Sequence, residues 1–287
     1  MNTPSIQSSA MLLDLTVSVY TGRKTDRVTA AEVVTAKRAG SSAATTVQKH
    51  LFAGNADLAA INQWAAAART RVAINTLPWN DSGTRLLPTE RFFAVQTLLH
   101  ELQTEFDRRV EVFVAGYASK ISNAAFALGT LFNRDEYPAP QQIRDKFCFR
   151  FEYSPVPDAG DFRVDIPNEA MELVRGEYQK NTTERLQTAV QDVSTRLFDA
   201  IRTMHAKCTE PDEGQHRPRL HESTYTSALE LCEVAKGLNI FNDPDIEQAR
   251  AGLAAALGAV DLQTLRESPE ARAVTRSRMD ALLSKFE

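Results

Sequence analysis

Two stretches with sustained helical periodicity constrain the fold of this 287-residue chain more than any other feature. The first runs from Ile166 to Thr209 and is free of Pro and Gly clusters. In it Leu186, Val190, Val193, Leu197, Ile201 and Met204 follow in steps of 4, 3, 4, 4 and 3, the spacing of one helix face. Such a helix is a rod of roughly 60 Å at 1.5 Å per residue. A single apolar stripe of that length needs a partner in water. The second stretch, Thr89 to about Asn133, offers one: Leu102, Phe106, Val110, Phe113, Tyr117, Ile121, Ala124 and Leu128 repeat in steps of 4, 4, 3, 4, 4, 3 and 4. An eleven-residue repeat averages about 3.67 residues per turn, which suits a nearly straight pairing. The expectation is a long antiparallel, coiled-coil-like helical hairpin. Gly116 beside the second stripe would allow close backbone approach.

Alternation marks the strands. Leu13, Leu15, Val17 and Val19 alternate with Asp14, Thr16 and Ser18, and Phe147, Phe149, Phe151 and Tyr153 alternate with Cys148, Arg150 and Glu152. With Phe162, Val164 and Ile166, the second run reads as a β-hairpin, and the N-terminal strand is its expected third partner. Three segments follow. Residues 1–83 hold the strand and Ala-rich helices at about 43–50 and 56–73, the second capped by Asn55. Residues 84–209 hold the helical hairpin with an inserted β-hairpin at 147–166. Residues 219–287 hold C-terminal helices, capped by Asp243 before Pro244 and by Ser268 before Pro269. The irregular run 77–83 is the expected boundary. The fold class is mostly α, with a small antiparallel sheet and packed terminal helices.

Charge is uneven. The net value is -4, but residues 1–79 carry eight Lys or Arg against four Asp or Glu, leaving the rest acidic. A net-acidic chain has no general attraction to nucleic acid. The basic segment makes Arg23, Lys24 and Arg27 the candidates for a nucleic-acid contact, against the ordinary reading of solvated charge. The three cysteines Cys148, Cys208 and Cys232 are widely spaced, which suits reduced thiols in a cytoplasmic setting. No signal peptide or membrane-spanning run is legible.

Chemistry-bearing clusters are weak. His205, Cys208, His216 and His221 fall within 17 residues, but their spacing matches no standard zinc site, and neither metal nor cofactor is expected. Cys148 reads as an inert half-buried thiol, and Thr21-Gly22-Arg23-Lys24 as a plain turn rather than a phosphate loop. Alternating aromatics from Phe147 to Tyr153 read as a core face rather than a base-stacking sheet. Arg196 between Asp192 and Asp199 reads as ordinary helix-surface pairing. No catalytic residue is assigned. Leu98, Leu99, Val112, Val114 and Phe198 lie off the two stripes and need covering, so Leu98, Leu99, Val112 and Phe198 form the expected interaction surface for a second copy or a protein partner.

Three pieces together carry a resemblance: the start, Leu13-Asp14-Leu15 through Tyr20-Thr21-Gly22-Arg23-Lys24; the aromatic hairpin leading straight into the long helix; and Leu238-Asn239-Ile240-Phe241-Asn242-Asp243-Pro244-Asp245-Ile246, followed by Asp261-Leu262-Gln263-Thr264-Leu265-Arg266 and a terminal helix with Arg272 and Arg276. The chain resembles a phage and bacterial family catalogued as domain of unknown function 3150. That resemblance covers nearly the whole chain and implies a non-enzymatic adaptor or scaffold of phage or mobile-element origin. Genes of the family often lie beside an AAA+ ATPase and a von Willebrand A-type protein, which implies an AAA+ ATPase as a partner. A nucleic-acid-binding accessory protein is the alternative reading.

Overall fold

The computed structural model describes residues 6–157, 168–210 and 219–285. In chain order the elements are α1 (Ile6–Ser9), β1 (Ala10–Ser18), β2 (Arg23–Thr25), α2 (Arg27–Ala36), β3 (Gln48–His50), α3 (Ala56–Ile74), β4 (Leu77–Pro78), β5 (Arg85–Pro88), α4 (Phe92–Ala115), α5 (Tyr117–Leu128), α6 (Pro140–Ile143), β6 (Cys148–Pro155), α7 (Asn168–Cys208), α8 (Glu222–Leu238), α9 (Pro244–Gly258), α10 (Leu262–Glu267) and α11 (Pro269–Leu283). The chain is mostly α with minor antiparallel β, as its periodicities predict. It divides into two compact units, each built from separate segments. The first comprises Met1–Asp14, Val72–Gln96 and Glu152–Glu287, and the second Leu15–Arg71 and Thr97–Phe151. The expected division at residues 83 and 209 does not hold, because β1, α3, α4 and β6 each run from one unit into the other.

In the first unit the α7 stripe is buried as expected: Val193, Leu197, Ile201 and Met204 are sealed from solvent. Its partners are not those expected. They belong to α8, α9 and α11, whose Ala228, Cys232, Ala235, Ile246, Leu253, Leu257, Met279 and Leu282 share one hydrophobic cluster with the stripe. The second stripe, on α4 and α5, is buried in the other unit. There Phe106 and Phe113 lie 5.7 Å from Phe149 and 5.7 Å from Phe147 of the aromatic strand. Phe52 lies 5.6 Å from Phe113, 5.8 Å from Tyr117 and 5.3 Å from Tyr137. The helical hairpin is therefore corrected to two separately buried stripes. Matched pitch shows that both faces are continuous, but it carries no information about which surface fills them.

The four-stranded sheet has the order β4-β5-β1-β6, with Ala10 opposite Pro88 and Leu13 opposite Arg85. The irregular run 77–83 turns out to begin a β4–β5 hairpin closed by the Asn80 side chain, which accepts from the Thr84 amide at 3.0 Å. The second strand expected at Phe162–Ile166 lies outside the described residues. The Ala-rich helix expected at about 43–50 is instead a single 3-10 turn at Ser42–Ala44 followed by β3, which pairs with β2 so that Arg23 faces His50. Asn55 caps α3 as expected, accepting from Leu58 at 2.9 Å. Asp243 and Ser268 also cap α9 and α11. The first long helix is two, joined at Gly116, where a Cβ would come 2.3 Å from the Lys120 ammonium. That ammonium instead pairs with Asp57 at 2.9 Å and lies 5.5 Å from the Phe113 ring.

Candidate interaction surfaces

The basic segment folds onto β2, β3 and α2. Asp26 ends β2 and starts α2, its carboxylate accepting from the amides of Val28 at 3.1 Å and Thr29 at 3.0 Å. The Thr29 amide is the main reason its carboxyl is held below the usual range, with Lys49 assisting. Lys49 on β3 is buried, pairs with Glu136 at 2.6 Å and donates to the Leu131 carbonyl at 2.8 Å. That buried pair anchors the ribbon. Arg23, Lys24 and Arg27 are exposed together on it, with Lys37 and Arg38 exposed at the far end of α2. Arg23 and His50 also line a concavity of 670 Å³ at the start of α3, with Asn55 and Asn62. The three expected cations are thus all exposed, Arg23 beside this concavity and Arg27 at the start of α2.

α2 itself is unusual. It is ten residues long and none of them is buried. Isolated helices this short are marginal in water. Thr29, Ala30, Val33 and Val34 are half-buried, while the outer face, made of Arg27, Val28, Ala31, Glu32, Thr35 and Ala36, lines a shallow depression. Val28 is 71% exposed. The helix stops on Arg38 at φ 51°, a left-handed position where Gly or Asn is favoured.

The expected interaction residues separate. Leu99 is a core residue with no exposure, a correction to its place on a surface. It faces inward because it lies three residues before Leu102 and so continues the buried stripe. Leu98 and Phe198 are half-buried, and Val112 is exposed. Leu98 and Val112 belong to the second unit, Phe198 to the first.

A clearer surface is on α5. Ala118, Ser119, Ser122, Asn123, Phe126 and Ala127 are exposed and uncharged, and Phe126 is 93% exposed. From Ile121 to Asn133 the sequence carries no charged residue. That gap is a legible signal that stripe-counting passes over, since a solvated helix face ordinarily carries Lys and Glu.

The described members of the His and Cys cluster do not converge. His205 lies 2.8 Å from Asp280 of α11, Cys208 is buried in the core, and His221 is exposed ahead of α8. His216 lies outside the described residues. Among the described residues no group of three or more His, Cys, Asp or Glu side chains is placed to hold a metal ion. Cys148 is half-buried, and burial pushes the Cys232 thiol up to about 11.

Arg196 does more than pair along its helix. It meets Asp192 at 2.5 Å and also donates to the carbonyls of Ile74 at 2.8 Å, Ala73 at 3.1 Å and Thr76 at 3.1 Å. Arg85 donates to Ala73 and Thr76 at 3.0 Å each. Two guanidinium groups therefore satisfy carbonyls at the C-terminus of α3, where a helix leaves four without partners. Burial is the main cause lowering the Arg85 pKa, with Arg196 adding to it. Nearby, Pro78, Trp79, Asn80, Asp81, Asn181, Glu184, Arg185 and Thr188 border a polar cleft of 380 Å³, where the Arg185 guanidinium lies 5.4 Å from the Trp79 ring.

Among the described residues no helix is long and apolar enough to cross a membrane. No family model, no curated protein and no solved structure matches the chain.

Proposed function

We propose that the chain is a non-enzymatic interaction or scaffold protein that works by binding another protein chain, its own copy or a foreign one. The observation carrying this reading is Phe126, 93% exposed in the last turn of the uncharged face of α5. A side chain of that size left in water is unfavourable, and large apolar surface kept free of charge is the pattern of a contact surface. Aromatic anchors of this kind dominate binding energy where they enter a pocket on a partner. Origin in a phage or mobile element, a cytoplasmic setting and service as an adaptor for an AAA+ ATPase rest on the family resemblance alone. The test is site-specific photocrosslinking with benzoylphenylalanine replacing Phe126, with adducts identified by mass spectrometry. One dominant adduct is expected, lost when Val112 and Phe126 are both changed to Asp and the crosslinker is moved to Ala127. A ladder of weak, non-specific adducts would refute the reading.

A second reading is a nucleic-acid-binding accessory protein acting through Arg23, Lys24 and Arg27. The observation favouring it is their joint exposure on β2 and the start of α2. It requires binding to DNA or RNA that falls with salt and weakens when all three are neutralised. Absence of binding at low salt removes it.

A further inference from the structure

The segment from Arg23 to His50 leaves the second unit and returns to the point it left. The β2–β3 ladder closes its ends, with Arg23 opposite His50, and next to the ladder the Leu51 amide donates to the Gly22 carbonyl at 2.7 Å. On the body side of that junction the chain is fixed. Gly22 is buried at φ 60°, where a Cβ would stand 3.1 Å from the Leu58 side chain, and Leu51 and Phe52 are core residues. On the far side the segment adds almost nothing to the core. α2 buries no residue, and among the described residues of 23–50 Lys49 alone is buried, its side chain 8% exposed. That reverses the ordinary arrangement, in which apolar side chains are sealed and lysines stay in water. Lys49 also carries the polar contacts of the segment. Its ammonium lies 2.6 Å from Glu136 and donates to the Leu131 carbonyl at 2.8 Å, both in 3-10 turns that follow α5, and lies 3.9 Å from Asp26 within the segment. Among the described residues of 23–50, no other makes a hydrogen bond or ion pair to a residue outside it.

We propose that residues 23–50 form an arm that opens as one unit while the rest of the second unit stays folded, and that Lys49 is its latch. The inference goes beyond the Phe126 reading and uses none of its residues. Three observations carry it. The free energy of a local opening follows the apolar contact it breaks, and here the inner face of α2 offers only the half-buried Thr29, Ala30, Val33 and Val34. A helix of ten residues is marginal once it leaves its support, so release of the latch melts α2 rather than swinging it out intact. The ends of the arm meet at a glycine already in the left-handed region, which absorbs a backbone change at little cost. Charge acts in the same direction. The segment holds six Lys or Arg against two Asp or Glu, so its closed form gathers like charges that opening lets apart. Lys49 opposes all of this through one buried pair. Breaking such a pair from one side is strongly unfavourable, because the remaining charge is left buried without a partner. Opening the arm whole avoids that penalty, since ammonium and carboxylate both return to water.

The test is amide hydrogen exchange read by mass spectrometry on the full chain, for the wild type, Lys49→Met, Glu136→Gln and the double variant Lys49→Met with Glu136→Leu. In the wild type the amides of β2, α2 and β3 should share one level of protection, about a hundredfold or more below that of α3 and α4. Lys49→Met should speed all of them together by about thirtyfold or more, because it strands the Glu136 carboxylate. Exchange in α3, α4 and α5 should stay within about threefold of the wild type. Glu136→Gln should speed the same set by a smaller factor, which keeps the test decisive if Lys49→Met does not fold. The double variant should slow the arm back toward the wild-type rate, since an apolar pair replaces a buried ion pair with little or no loss. The α2 amides discriminate: a merely local role for Lys49 would change β3 and the turns at Leu131 and Glu136 and leave α2 as it was. That result overturns the proposal. So does an arm as protected as α3, an arm with no protection in the wild type, a single variant that loosens α3 to α5 equally, or a double variant that exchanges like Lys49→Met.

Discussion

Leu197→Ala tests the reassignment of the long helix most directly. Leu197 is 0% exposed, with Val193 and Ile201 one turn away on the same buried face. The change removes three carbons, worth roughly 2.4 kcal/mol at about 0.8 kcal/mol per methylene. A cavity of about 60–80 Å³ adds roughly 1.5–2 kcal/mol at about 24 cal/mol per Å³. Little collapse is available, because the surrounding residues sit on four packed helices, so the cost should be about 4 kcal/mol. For a body of this size that is a loss of roughly 8–16 °C in Tm. Urea unfolding followed by Trp79 fluorescence, in a Trp64→Phe background, reads it out, since Trp79 belongs to the same hydrophobic cluster and Trp64 to the other unit. The midpoint should fall with the slope unchanged. Leu173→Ala is the matched control on the same helix: it is exposed, so it should change stability by less than about 0.5 kcal/mol. A loss below that value at Leu197 would mean that the α7 stripe is not packed as described.

Arg196→Ala should cost about 1–3 kcal/mol, because carbonyls at the end of α3 lose charge-assisted donors while Arg85 keeps some of them satisfied; Arg196→Lys should recover little, since an ammonium does not reproduce the planar fork. Thiol labelling of the native protein at pH 8 should modify Cys148 first and leave Cys208 and Cys232 untouched until unfolding, and fast labelling of Cys232 would contradict its burial. The Glu105 carboxyl is lowered to about 2, chiefly by its hydrogen bond from Arg108. Its contribution is thus present above its unfolded value near 4.5 and is lost as pH falls toward 2, so Glu105→Gln should flatten the acid limb of a stability–pH curve between those limits. Neutralising Arg23, Lys24 and Arg27 together should leave Tm within about 1 °C, as all three are solvated.

The fold class was legible because periodicity is written into single elements. The caps at Asn55, Asp243 and Ser268, the aromatic strand and both stripes each depend on residues a few positions apart. The pairing of the stripes was not legible, because it is decided by residues far away. Phe147 and Phe149 claim the α4–α5 face and Met279 and Leu282 help claim the α7 face, and each of those partners is as apolar as the other. The β4–β5 hairpin was hidden by its shortness and by Pro78, which reads as a loop signal. Arg196 was legible as a helix-surface charge and nothing more, since its carbonyl partners at Ala73, Ile74 and Thr76 precede it by over a hundred residues.

The candidate surfaces follow a different logic. A sequence shows where charge is missing, as from Ile121 to Asn133, or where it gathers, as at Arg23, Lys24 and Arg27. It does not show whether the residue in question faces in or out. Leu99 and Phe126 illustrate the difference: both are large apolar residues on α-helices, yet Leu99 is core and Phe126 stands in solvent. Only the phase of each helix against its own unit separates them. A surface of this kind is recognised by what the fold has failed to bury, which is why the fold had to be known before the interaction residues could be chosen.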